Sequence, residues 1–159
     1  MESLNNLLAE LPLKTYEPRA VLMEQDGQSR ELFILKEGCV EVVKDGVAVC
    51  RETEPGAVFG EITGLLDVPH SATVRAVERT ACYMFSDSKR ALEENPELTH
   101  HVAALLARRL SAMTRYLVDL KDQFAQNEDH MGMIDGVLQT LTHRTPRRID
   151  RTLRGDPNA

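Results

Sequence analysis

The chain has no tryptophan, and aromatic residues make up only 4% of it. Any core must therefore be largely aliphatic. Cysteine is scarce as well. Cys39, Cys50 and Cys82 are scattered, with no C-x-x-C spacing, which argues against a zinc ribbon or iron–sulfur site and suits a reducing compartment. No stretch approaches the ~18 consecutive apolar residues that a membrane-spanning helix needs. The first ten residues lack a basic start and a long apolar run. The expectation is no secretory leader, no membrane and a cytoplasmic location. Excess positive charge is missing too. Residues 1–142 carry 14 Lys/Arg against 23 Asp/Glu, and residues 143–159 carry 5 against 2, giving −6 in all. An acidic body disfavours non-specific nucleic-acid binding. Finally, no nucleophile–base pair or metal-ligand cluster stands out, so the reading is not an enzyme and needs no cofactor.

The chain does hold enough apolar residues, 42% of 159, for one domain core. Leu4, Leu7, Leu8 and Leu11 recur at helical spacing, predicting a short amphipathic helix over 3–11 that Pro12 ends. From 20 to 50 the pattern is β. Val21-Leu22-Met23 precedes an Asp26-Gly27 turn, 31–35 is mostly apolar, and Val40 and Val42 share a face. Asp45-Gly46 then sits between alternating valines, with Val47 and Val49 resuming the alternation. Asp-Gly between alternating apolar residues is the strongest short hairpin signal. Glu54-Pro55-Gly56 turns again. Residues 72–85 return to β, with Val74 and Ala76 on one face, followed by Cys82 and Met84. Many short strands separated by glycine turns predict a sandwich or barrel.

Ser86-Asp87 offers an N-cap for a helix over 88–94, and Asn95-Pro96 starts a longer one. Its apolar residues are Leu98, Val102, Leu106, Leu110, Met113, Leu117, Leu120 and Phe124. The last six hold a heptad rhythm. A helix of about 28 residues is roughly 40 Å long, more than a small barrel covers, so the stripe reads as a two-helix dimer seam. Ile134, Val137, Leu138 and Leu141 mark a weaker helix over 130–142, interrupted by Gly132 and Gly136. Residues 143–159 are polar and arginine-rich, a flexible or partner-bound tail.

The stretch Phe59-Gly60-Glu61-Ile62 through Pro69-His70-Ser71-Ala72-Thr73-Val74-Arg75-Ala76 joins two β segments by a loop and a helical turn. Gly60 lets a backbone approach a ligand closely. A carboxylate at 61 accepts hydrogen bonds from sugar hydroxyls, and the backbone N–H groups of Gly60, Glu61 and Ile62 face where phosphate is attracted. The order and spacing of these residues resemble the phosphate-binding cassette of the cyclic nucleotide-binding domain family. The likeness to that family's β-roll extends over about residues 13–124.

The resemblance implies a mainly β fold with α: a double-stranded β-helix, or jelly-roll, barrel with flanking helices and a long C-terminal dimerisation helix. It divides the chain into a β-roll over 1–95, a dimerisation helix over 96–124, and a short helix with an Arg-rich tail over 125–159. It implies that Glu61 receives the ribose 2′-hydroxyl of cyclic AMP or cyclic GMP. Gly60, Ile62 and Ser71 would offer groups to the phosphate, and Thr114 on the long helix would reach the base. The family places an arginine where this chain has His70. An imidazole there, with an ordinary pKa near 6.5, is a weaker phosphate ligand whose affinity should rise toward pH 6. The other reading of His70 is a surface loop residue in a vestigial pocket. Arg75 and Arg79 read as solvent-facing rather than as replacements for the missing charge. No winged-helix pattern follows Phe124, so DNA is not the expected partner. The expected partners are a cyclic nucleotide, a second copy through 98–124, and a protein reached by the tail. The functional reading is a dimeric, non-catalytic sensor. The alternative is a degenerate, ligand-free adaptor.

Overall fold

A computed structural model describes residues 2–125 and 128–142; the Arg-rich tail expected at 143–159 lies outside them. The chain divides into two compact units, one ending at Leu105 and the other beginning at Leu106.

The first unit opens with α1 (Glu2–Ala9), which half-buries Leu4, Leu7 and Leu8 as the helical spacing requires. Eight strands follow: β1 (Leu13–Tyr16), β2 (Val21–Met23), β3 (Leu32–Glu37), β4 (Val40–Lys44), β5 (Val47–Glu52), β6 (Val58–Phe59), β7 (Thr73–Ala76) and β8 (Thr80–Phe85). They form two four-stranded sheets, ordered β1-β8-β3-β6 and β2-β7-β4-β5, with every pairing antiparallel. This is the mainly β jelly-roll that the family resemblance implies, within the sandwich or barrel class that the short strands and glycine turns predict. Phe33, Leu35, Phe59 and Cys82 of one sheet meet Leu22, Met23, Val40, Val74 and Ala76 of the other to make the core. Sheets stacked face to face bury alternate residues of each strand, as the pairs Val40/Val42 and Val74/Ala76 show.

β3 is buried on both faces, from Leu32 to Leu35. Leu32 and Ile34 lie outside the inter-sheet core, on the opposite face of the strand. β5 departs from the reading of its valines. Val47 and Val49 are 65% and 62% exposed, because β5 pairs with β4 alone and forms the outer edge of its sheet. The hairpin it makes with β4 turns on Asp45 and Gly46, both at positive φ, the geometry that two-residue hairpins need.

Between β6 and β7 lies α2 (Glu61–Leu66). After β8 come α3 (Ser88–Glu94) and α4 (Pro96–Gln123). Asp87 caps α3, its carboxylate accepting the Arg90 N–H at 3.0 Å. Leu98 and Val102 in the first two turns of α4 are fully buried. In the second unit the same helix continues through Leu110, Met113, Tyr116 and Phe124, all about half exposed or more. α5 (Glu128–Thr142) runs unbroken through Gly132 and Gly136, and its Asp135 accepts a hydrogen bond from the Lys121 ammonium.

Candidate functional site

The loop and turn between β6 and β7 are fixed by local chemistry. Gly60 precedes α2 with φ 93°, and a Cβ there would stand 2.4 Å from the Glu31 carbonyl oxygen. Glycine is therefore required by the protein's own backbone, whatever a ligand needs. α2 is short and ends at Asp67, itself left-handed, whose N–H donates to the Thr63 carbonyl at 3.0 Å. Gly64 lies so close to α3 that an added Cβ would be 2.9 Å from the Ser88 hydroxyl oxygen.

Glu61 is 5% exposed at the first turn of α2, Ile62 is half-buried, and Ser71 is exposed. His70 is not a surface loop residue: it is 3% exposed. Its backbone N–H donates to the Gly27 carbonyl at 3.0 Å, and its carbonyl accepts from the Asp26 N–H at 2.8 Å. Its ring sits between two hydroxyls, with Nδ1 3.0 Å from Thr63 Oγ1 and Nε2 2.8 Å from Ser29 Oγ. A neutral imidazole has one N–H and one bare nitrogen, and two hydroxyls satisfy both in either tautomer. Burial pushes the His70 pKa below its ordinary value, while the Glu31 carboxylate and the bond with Ser29 act the other way. At neutral pH the ring is uncharged and serves as a post on which α2 and the 24–31 loop are tied.

The exit of the cassette is tied to the β4–β5 hairpin. The Gln25 N–H donates to Thr73 Oγ1 at 2.9 Å, and the Gln25 amide exchanges two hydrogen bonds with Asp45, at 2.7 and 2.8 Å. The Lys44 ammonium donates to the Ser71 carbonyl at 3.2 Å. None of Ser29, Thr63 and Lys44 is singled out by the sequence. Ser29 lies 41 residues from His70, Lys44 lies 27 from Ser71, and Thr63 lies within the cassette but is not one of the residues that carry the resemblance. The two downstream arginines face solvent as expected, with Arg75 2.6 Å from Glu41 and Arg79 4.0 Å from Glu17. Thr114 belongs to the second unit, where its hydroxyl donates to the Leu110 carbonyl of its own helix at 2.9 Å.

The junction of α3 and α4 is also stitched by side chains. The Asn95 amide donates to the Ala91 carbonyl at 2.7 Å, and the Thr99 hydroxyl faces the carbonyls of Leu92 and Asn95. His101 on α4 meets the Gly56 carbonyl at 2.7 Å.

A model of the cyclic nucleotide-binding domain family matches residues 13–91. The acetyltransferase Pat of Mycolicibacterium smegmatis is 40% identical over 70 residues, covering 42% of this chain and 21% of that protein. The cAMP-dependent protein kinase regulatory subunit of Yarrowia lipolytica is 31% identical over 85 residues, covering 54% and 22%. The chain thus spans about a fifth of the length of these curated relatives. Among solved structures, the catabolite activator protein of Thermus thermophilus is 26% identical at a TM-score of 0.61, covering 76% of this chain and 59% of that one.

Proposed function

Residues 13–91 of this chain belong to the cyclic nucleotide-binding domain family, and from that premise we propose that the chain is a non-catalytic regulatory module that binds cyclic AMP or cyclic GMP and signals as a homodimer. The observation that carries the reading is the ordered cassette, with Glu61 buried at the first turn of α2 directly after a backbone that only glycine allows. In this reading Glu61 accepts the ribose hydroxyl, and Gly60, Ile62 and Ser71 address the phosphate. His70 joins them when its ring gives up a hydroxyl partner. α2 lies against α3 at Gly64, so a ligand that shifts α2 acts on the Asn95–Thr99 junction and hence on α4. The exposed apolar residues of α4 from Leu110 onward supply the face for a second copy. The working location is the cytoplasm.

One observation favours a second reading. His70 is buried, uncharged at neutral pH and already hydrogen-bonded at both nitrogens. A domain without a strong phosphate ligand would serve as a ligand-free adaptor, using α4 and the tail to hold another protein. Calorimetric titration with cyclic AMP and cyclic GMP, on the native protein and on His70→Arg, separates the two. Binding by the native protein supports the sensor. Binding by His70→Arg alone means an intact but disarmed pocket and favours the adaptor. Binding by neither rejects the sensor.

A further inference from the structure

The cassette holds a buried, neutral His70, yet a cyclic nucleotide brings a phosphodiester anion into an acidic body. That charge needs a cation. Among the described residues of the first unit, Arg30 pairs with Asp67, Arg51 and Arg75 with Glu41, Arg79 with Glu17 and Arg90 with Glu94, while Lys14 and Lys36 stand over the rings of Tyr16 and Tyr83. Lys44 is placed differently. Its ammonium meets the carbonyl of Ser71, a neutral group, so the charge is not cancelled there. Val40 lies in the inter-sheet core and Val42 packs against that core. Lys44 is the last residue of β4, where the strand leaves the core and the side chain is exposed. Its position is also braced. Asp45, the nearest carboxylate along the chain, is turned to the Gln25 amide, and Gln25 is bound to Thr73 at the cassette exit. The hairpin tip, and Lys44 with it, is thereby held beside Thr73, two residues beyond Ser71.

Resting on the sensor reading above, we propose that Lys44 is the cation that binds the phosphate of the cyclic nucleotide, supplying across the hairpin the charge that His70 lacks. One of its N–H groups stays on the Ser71 carbonyl while the others turn to the anion. A charge-assisted hydrogen bond of this kind is worth roughly 10- to 100-fold in affinity. Because the site is open to water, the gain shrinks with salt.

The test is titration of the full chain with cyclic AMP, cyclic GMP and the uncharged nucleosides adenosine and guanosine, on the native protein, Lys44→Ala and Lys44→Arg, at about 0.05 and about 0.5 M salt. Three results together support the proposal. Lys44→Ala weakens the cyclic nucleotide about 10-fold or more at low salt and less at high salt, Lys44→Arg stays within about threefold of native, and any nucleoside binding is unmoved by either change. If the native protein binds and Lys44→Ala binds equally well, Lys44 is not the phosphate ligand and the sensor reading stands. A loss that is equal for nucleotide and nucleoside marks a structural lysine and likewise overturns the assignment. If the native protein binds neither cyclic nucleotide, the sensor reading and the lysine fall together.

Discussion

His70 is the residue on which charge and packing meet. Its folded pKa lies below the ordinary histidine value near 6.5 because burial disfavours the charged ring. The unfolded chain therefore binds more protons just below that value, and stability must rise with pH through this window and fall as the pH drops below about 6.5. Thermal melts between about pH 7.5 and pH 5.5 should show a falling midpoint, and His70→Gln should flatten that slope. An unchanged slope in the variant would remove His70 from the account. Gly60 gives a second residue-scale prediction. Forcing an L side chain into its left-handed backbone costs about 1–3 kcal/mol, and the Glu31 carbonyl adds a clash. Gly60→Ala should thus lose more stability to urea than Gly46→Ala, where φ is 77° but nothing lies within 4 Å of the added carbon. Equal losses would mean that the close approach of Glu31 relaxes at no cost.

At the scale of elements, α3 and the root of α4 carry the link between cassette and long helix. The Asp87 carboxylate closes one of the open N–H groups at the start of α3. Asp87→Ala should therefore cost about 1 kcal/mol in chemical denaturation, and Asp87→Ser much less. Leu98 is fully buried, and truncation to Ala should cost about 2–5 kcal/mol by removing contacts and leaving a cavity. A loss below about 1 kcal/mol would show that the first turn of α4 collapses freely onto the body. The edge strand β5 behaves differently. Its valines are mostly exposed, so Val49→Thr should leave stability within about 0.5 kcal/mol of native, as ordinary surface changes do.

For the whole molecule, the proposed dimer predicts a concentration-dependent mass in sedimentation. Leu110→Glu with Met113→Glu should shift the protein to monomer while leaving the far-ultraviolet spectrum of the β-roll in place, because both side chains are about half exposed along α4. A native protein that sediments as a monomer at every concentration would sink the dimer.

The elements with local causes were open to view in the sequence. The Asp45-Gly46 turn, the Asp87 cap, the Pro96 start and the alternation of Val40/Val42 and Val74/Ala76 each depend on a few neighbouring residues, and each stands where that chemistry puts it. The sandwich or barrel class followed from the same signals, the jelly-roll came from the family resemblance, and the cassette was legible because its residues are contiguous. What the sequence could not reveal depends on partners brought together by the fold. His70 is buried because Ser29, from 41 residues earlier, and Thr63, from the preceding helix, close on its two nitrogens. Gly60 is required by the carbonyl of Glu31, from a neighbouring loop. Lys44 reaches Ser71 only because β4 and β7 pair side by side, in the register that sets Val43 opposite Thr73. Local turns and caps are decided by the backbone preferences of a few residues. The burial and charge state of His70 are decided by partners from separate segments of the chain, which meet only once the tertiary structure has formed.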